Sequence, residues 1–363
     1  MKKLIAILLI ISNITLVGCY SYKDINKLLF ATAIVVDVVN DLPVIYVEAY
    51  KGVRDEPGQN DRVIFKGQGQ TLMEAVKNLN LSASNEINYS QIKAIVFTEN
   101  AANSDLEKFI DVLERNQQFV MRSFVCIFEG SGDELLDIKI PDEKFLGIFI
   151  HDLIKNVKTL SNSITLTLND FLNKRVMPSK SEVATFIKLD RTNTKNKIIL
   201  LGGAAIKDGI YKSRLNPDDT KGYNFLEGKS GKGVFQLANP HVKDSIISME
   251  VLSNKTKTNF EYKDGTVYMY KNIKVSSTIS QSQDKFYGSI DELEKLDVMA
   301  ENLITKLCKG TFTKFKKKNL DIFDIENDFH RKYPNIKIDD IITKTELKIN
   351  VDVNITDTAH IIN

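Results

Sequence analysis

The first 19 residues, MKKLIAILLIISNITLVGC, decide the compartment in which everything after them must fold. Lys2 and Lys3 make a short positive region, and Leu4 to Ile14 an apolar run too short to span a bilayer comfortably. The segment Leu16-Val17-Gly18-Cys19 then places small residues directly before a cysteine, as a processing site requires. Residues 1–18 therefore read as an export signal, and the mature chain is expected to start at Cys19 and to fold outside the cytoplasm.

This leader forms a lipobox and resembles those of bacterial lipoproteins. The resemblance implies that the Cys19 thiol receives a diacylglyceryl group and that the signal is cut just before it. Two acyl chains give stable anchoring where a single chain is marginal. Residues 19–29 are then a lipidated tether, polar from Tyr20 to Lys27. The competing reading is an ordinary secretory signal in which the cysteine stands by chance.

About 345 residues remain beyond the signal, enough for two or three domains with a sizeable core. A hydrophobic content of 43%, a charged content of 26% and only 7 prolines belong to a globular chain and exclude a disordered or fibrous one. Lys+Arg number 49 against 47 Asp+Glu, a formal net charge of +2, so no global field exists to grip nucleic acid. Cys126 and Cys308 sit in the apolar patterns SFVCIF and LITKLCKG, which favours two buried thiols over a disulfide.

Along the chain, strand patterns at 31–39 and 43–49 flank the turn pair Asn40-Asp41 and predict a hairpin. A short strand at 63–65 precedes a helix over 71–81, and strands at 92–97 and 124–128 enclose a helix over 104–115. Helices over 142–157 and 167–173 form a bridge. Strands follow at 184–189 and 198–206, where Gly202-Gly203 marks a bulge or a close backbone approach. Further strands are expected at 234–238, 246–252, 259–262 and 267–275, the last two joined by Lys263-Asp264-Gly265. The capping box Ser289-Ile290-Asp291-Glu292 opens a long helix over 289–318, and 345–355 alternates as a half-buried strand. The expected fold class is α+β and multi-domain, with mixed or antiparallel sheets packed against helices. Residues 30–195 form an N-terminal α/β region with its helical bridge from about 142, and residues 196–363 a β-rich C-terminal region.

Catalytic chemistry finds little support. His151, His241, His330 and His360 lie far apart with no metal-binding spacing, so no metal or cofactor site is expected. Gly228-Lys229-Ser230 lacks the upstream glycine of a phosphate loop, and Gly67-Gln68-Gly69 reads as a tight turn. Ser90-Gln91-Ile92-Lys93 with Lys229-Ser230-Gly231 imitates the penicillin-binding pattern, yet Ser90 leads into a strand where the nucleophile should open a helix. The run Lys314-Phe315-Lys316-Lys317-Lys318 reads as a solvated helix end, at most an auxiliary contact to anionic lipid.

Several segments together resemble the Ger(x)C family, the lipoprotein C subunits of spore germinant receptors. Cys19-Tyr20 is similar to the family's Cys-Trp start, and Tyr89-Ser90-Gln91-Ile92-Lys93 to its Tyr-Ser-His-Leu-Lys strand entry. Phe109 to Arg122, Gly203-Ala204-Ala205-Ile206-Lys207-Asp208 and Phe329-His330-Arg331-Lys332-Tyr333-Pro334 match further family segments in order and spacing. Tyr20, Gln91 and Asn116 depart from the usual Trp, His and Asp, which marks a divergent member. The resemblance implies a three-domain α+β protein without enzymatic activity, tethered to the outer face of the spore inner membrane and working with two integral membrane subunits of A and B type. The readings set against it are a lipid-anchored solute-binding protein, which needs two similar α/β lobes, and a penicillin-binding acyltransferase.

The anchor reading makes a direct prediction. Cys19→Ala, expressed in the native host, leaves the folded ectodomain intact but moves it from the membrane to the soluble fraction. Complete sedimentation of that variant with salt-washed membranes would contradict lipid anchoring.

Overall fold

A computed structural model of the chain describes residues 27–51, 62–115, 120–140, 143–157, 163–192 and 197–357. The expected hairpin forms from β1 (Leu28–Val39) and β2 (Leu42–Lys51), turning through Asn40 and Asp41 at positive φ. Next come β3 (Val63–Gln68), α1 (Leu72–Asn80), β4 (Glu86–Asn88), β5 (Ala94–Thr98), α2 (Glu99–Asn103), α3 (Leu106–Glu114) and β6 (Phe124–Glu129). Three helices follow, α4 (Gly132–Leu136), α5 (Leu146–Val157) and α6 (Leu168–Arg175), then β7 (Ser181–Asp190), β8 (Lys197–Lys207) and β9 (Ile210–Leu215). The chain continues through α7 (Pro217–Leu226), β10 (Val234–Ala238), β11 (Ile246–Lys263), β12 (Thr266–Ser282), α8 (Ile290–Lys317) and α9 (Ile325–Lys332). A 3₁₀ turn at Ile341–Lys344 leads into β13 (Thr345–Asp357).

These strands build two sheets. The first runs β3-β2-β1-β5-β6-β7-β8-β9, with β4 paired to one end of β1. Its interior pairs, β1 with β5, β5 with β6 and β6 with β7, are parallel, while both flanks are antiparallel. A parallel interior must be covered on both faces, and β5 is buried at all five positions. Ile95 and Phe97 face a core shared with α1, α2, α3 and α6; Ala94 and Val96 face another closed by α4 and α5. Two buried carboxylates pin this arrangement. Glu48 accepts from Thr32, Arg62 and the Leu146 and Gly147 amides that open α5, and Asp37 accepts from Thr98 and the Gly132 amide that opens α4.

The second sheet runs β10-β11-β12-β13. Its last pair is parallel, so the chain must cross over between β12 and β13, and α8 makes that crossing. Leu296, Ala300, Ile304 and Cys308 recur on one stripe of α8 and pack on Ile247, Met249 and Val275 of the sheet. The two strands expected at 246–252 and 259–262 are one continuous β11, because β12 pairs with it through Lys263 and a bulge at Val251/Ser253 absorbs the irregular middle. Gly67 and Gln68, expected in a tight turn, extend β3 by pairing with Ile45 and Val44. The division at 195/196 falls between β7 and β8, which are neighbours in the first sheet.

Between the sheets lies α7, buried at Asp219, Thr220 and every residue from Gly222 to Leu226. Asn216 caps it, accepting from the Asp219 amide at 2.8 Å, while Asp219 receives the Asn216 amide at 3.0 Å. At its middle, Gly222 meets α8 so closely that a Cβ would stand 2.2 Å from Thr311 Oγ1 and 2.5 Å from the Leu307 carbonyl. Gly202, at φ +89°, admits α7 on the other side, where a Cβ would lie 2.5 Å from Thr220 Oγ1. This is the close approach that the Gly202-Gly203 pair predicts.

Two glycine-to-alanine changes then have opposite signs although both residues are helical. Gly222→Ala costs about 2 kcal/mol by overpacking, whereas Gly310→Ala, with nothing within 4 Å of its Cβ, gains about 0.8 kcal/mol of helix propensity. Urea unfolding measures both, and equal shifts for the two variants would contradict this packing.

Candidate functional site

The cavity with the most varied chemistry, about 610 Å³, opens where α6, β7 and α7 meet. Its apolar lining comes from Ile164, Leu166, Met177, Val183 and Ile322. Its polar lining includes Asp170, Lys174, Glu182, Tyr223, Asn224 and Lys229. Most of these groups are already engaged. Asp170 closes the capping box of α6 with Thr167, and Lys174 pairs with Asp324. Asn224 donates to the Ser163 carbonyl at 2.8 Å, which fixes the loop before α6 against α7. Lys229 lies 5.4 Å from the centre of the Tyr223 ring and reaches its hydroxyl at 3.5 Å.

Glu182 differs. It is 5% exposed and shares the face of β7 with Ala184 and Phe186, and among the described residues its carboxyl has no hydrogen-bond or ion-pair partner. Burial pushes this group well above the ordinary glutamate range; Glu107 and Asp208 push the same way, and Lys174 only partly offsets them. Among the described residues, the other deeply buried carboxylates are placed differently. Asp321 is also raised by burial, to about 6, yet it accepts from the Phe323, Ile325 and Glu326 amides at the start of α9.

The residues weighed from the sequence are dispersed. Leu16, Val17, Gly18 and Cys19 lie outside the described residues, as do Tyr20, Asn116 and His360. His151 sits on α5 against Phe124 and Asp152, His241 bonds Glu292 at 2.8 Å, and His330 lies on α9. Among the described residues no three His, Cys, Asp or Glu side chains cluster as metal ligands. Ser90 occupies the turn before β5, where its amide donates to Asn88 Oδ1, and Lys229-Ser230 follows α7. Cys126 and Cys308 are both free and buried in different cores, and burial raises both thiols, Cys126 to about 12.

The lysine run at the end of α8 is only in part the solvated helix end that its composition suggests: Lys317 and Lys318 are exposed, whereas Lys314 and Lys316 are half-buried. Lys314 donates to Asp219 at 2.5 Å and to the Arg214 carbonyl at 2.9 Å, and Lys318 to Ser213 Oγ at 2.7 Å, all on the side of the first sheet. Lys316 points the other way and donates to the Thr345 carbonyl at 2.7 Å, where β13 begins. The cations of the last turn thus staple α8 to both sheets while offsetting its C-terminal dipole.

Sequence reasoning missed α7, although Asn216-Pro217-Asp218-Asp219 carries a start signal: an N-cap Asn, Pro at the first turn and an acid at the third position. It also missed Glu182, whose charge at a strand entry reads as loop until the covering helices are known.

Two family descriptions match this chain in order, the spore germination protein N-terminal domain over residues 21–189 and the spore germination B3/GerAC-like C-terminal domain over residues 201–359. The chain belongs to the Ger(x)C family of spore germination proteins, the C subunits of germinant receptors. Among its relatives are spore germination protein GerQC of Bacillus cereus, 20% identical over 96% of this chain and 97% of that one, and spore germination protein KC of Bacillus subtilis (strain 168), 22% identical over 92% and 88%. The crystal structure of the GerBC protein has the same fold, with a TM-score of 0.59 at 16% identity, covering 89% of this chain and 97% of GerBC. The α+β class with mixed sheets agrees with that match. The two family domains meet between residues 189 and 201, at the connection from β7 to β8, so both contribute strands to one sheet.

The raised carboxyl gives a signed prediction. The native state holds the Glu182 proton more tightly than the unfolded chain, so its contribution to stability is lost as pH rises from the ordinary carboxylate range through the raised native value. The slope for one proton reaches about 1.4 kcal/mol per pH unit. Glu182→Gln removes this dependence, and its stability relative to the wild type should climb as pH rises above the ordinary glutamate range in urea unfolding. A pH-independent difference would contradict the burial of a protonated carboxyl.

Proposed function

We propose that this chain is a lipid-anchored, non-catalytic receptor subunit, acylated on Cys19 at the outer face of the spore inner membrane. There it assembles with two integral membrane subunits of A and B type, so that spores respond to small-molecule germinants. The observation that carries this reading is the placement of both family domains, in order, directly behind a lipobox cysteine.

The physical chemistry supports it. No helix among the described residues is long and apolar enough to cross a membrane, and acylation at Cys19 supplies an attachment that needs none. Confinement to a plane raises the effective concentration for membrane partners, so modest contacts suffice for assembly. A nearly balanced charge, 49 basic against 47 acidic residues, suits protein contacts better than polyanions.

Deletion of the gene in its own host is expected to leave sporulation normal while abolishing the response to a subset of germinants, with restoration by the wild-type copy. Germination through receptor-independent triggers should persist. A deletion strain without compensating paralogues that answers every small-molecule germinant normally would contradict the proposal.

A further inference from the structure

The cavity at the meeting of α6, β7 and α7 combines an acidic group with an apolar wall. Glu182 is 5% exposed, lines the cavity and has no hydrogen-bond or ion-pair partner among the described residues. The neighbouring cations are committed elsewhere: Lys174 is paired with Asp324, and Lys229 rests over Tyr223. Asp170 is held by Thr167. The carboxyl can therefore take a donor, preferably a cationic one, attached to a body small enough to lie against Ile164, Met177, Val183 and Ile322. Its volume of about 610 Å³ lies within the range of small-molecule sites.

We propose that this cavity binds a small organic amine, whose ammonium group pairs with Glu182 and whose carbon body packs on the apolar wall. The site lies within this chain and requires neither the lipid anchor nor membrane subunits. In the free protein, burial and the facing carboxylates Glu107 of α3 and Asp208 of the β8–β9 turn favour the protonated form of Glu182, with Lys174 of α6 opposing them. Binding forms the carboxylate–ammonium pair and releases that proton to solvent, so protons and charge balance. The affinity for an amine consequently rises with pH, by up to about tenfold per unit, until Glu182 is ionised in the free protein.

Calorimetric titration of the full-length acylated chain in detergent, with propylammonium, propionate and propan-1-ol as probes of one size, tests this. Propylammonium should bind saturably, release a proton as judged from buffers of different ionisation enthalpy, and tighten with rising pH. Propionate and propan-1-ol should bind at least about tenfold more weakly. Glu182→Gln keeps the shape and should lose amine affinity by at least about tenfold while folding normally. Met177→Trp leaves Glu182 in place and should block the same binding by filling the cavity. The proposal is overturned if no amine binding saturates at any pH, if propan-1-ol binds as tightly as the amine, or if Glu182→Gln binds propylammonium unchanged.

Discussion

The contact between Gly222 of α7 and the backbone of α8 holds the two sheets at a separation that no side chain at that position would permit. The helix α7 is ten residues long and too short to be stable by itself, so it exists because its surroundings complete it. Its first turn is closed by Asn216 and by Asp219, which receives Lys314 from α8. Its last carbonyls, which no helix can satisfy internally, are met from the second sheet: Asn254 and Thr256 donate to the Phe225 carbonyl and Lys271 to the Leu226 carbonyl, while Lys271 also pairs with the Glu227 carboxylate. Lys271 is almost wholly buried and brings a positive charge to the negative end of the helix. Loosening α7 would therefore expose polar groups from both sheets at once.

Charge inside this molecule follows one rule with one informative departure. Asp37, Glu48, Asp219 and Asp321 each sit at a helix start or against a lysine, where hydrogen bonds repay the cost of removing them from water. Glu182 has no such arrangement and faces a cavity instead. Its neighbours Ala184 and Phe186 on the same face of β7 are ordinary core residues, so the local pattern of the strand does not explain an acid there.

Much of the architecture could be read before the structure was known, because it rests on local periodicity. The β1–β2 hairpin, the α1 and α3 faces and the capped α8 helix each carry a complete signal within their own residues. What escaped depends on distant partners. The helix α7 is buried at every residue from Gly222 to Leu226, which leaves little amphipathic pattern, and the single strand β11 looks interrupted until β12 is laid beside it. The lysines at 314, 316 and 318 looked solvated because their acceptors, in β9, α7 and β13, are remote in sequence. The cavity was illegible for the same reason, since α7 and Ile322 reach it from parts of the chain remote from α6 and β7.

The two family domains are joined through a shared sheet, a shared buried helix and a lysine-stapled α8, and they therefore behave as one body. Native-state hydrogen exchange on the α7 amides tests it most directly. If the claim holds, Thr220 to Leu226 exchange only with global unfolding, with the same denaturant dependence as the amides of β5 and β12. Exchange of α7 by a local opening, with β5 and β12 then unfolding at different denaturant concentrations, would contradict it.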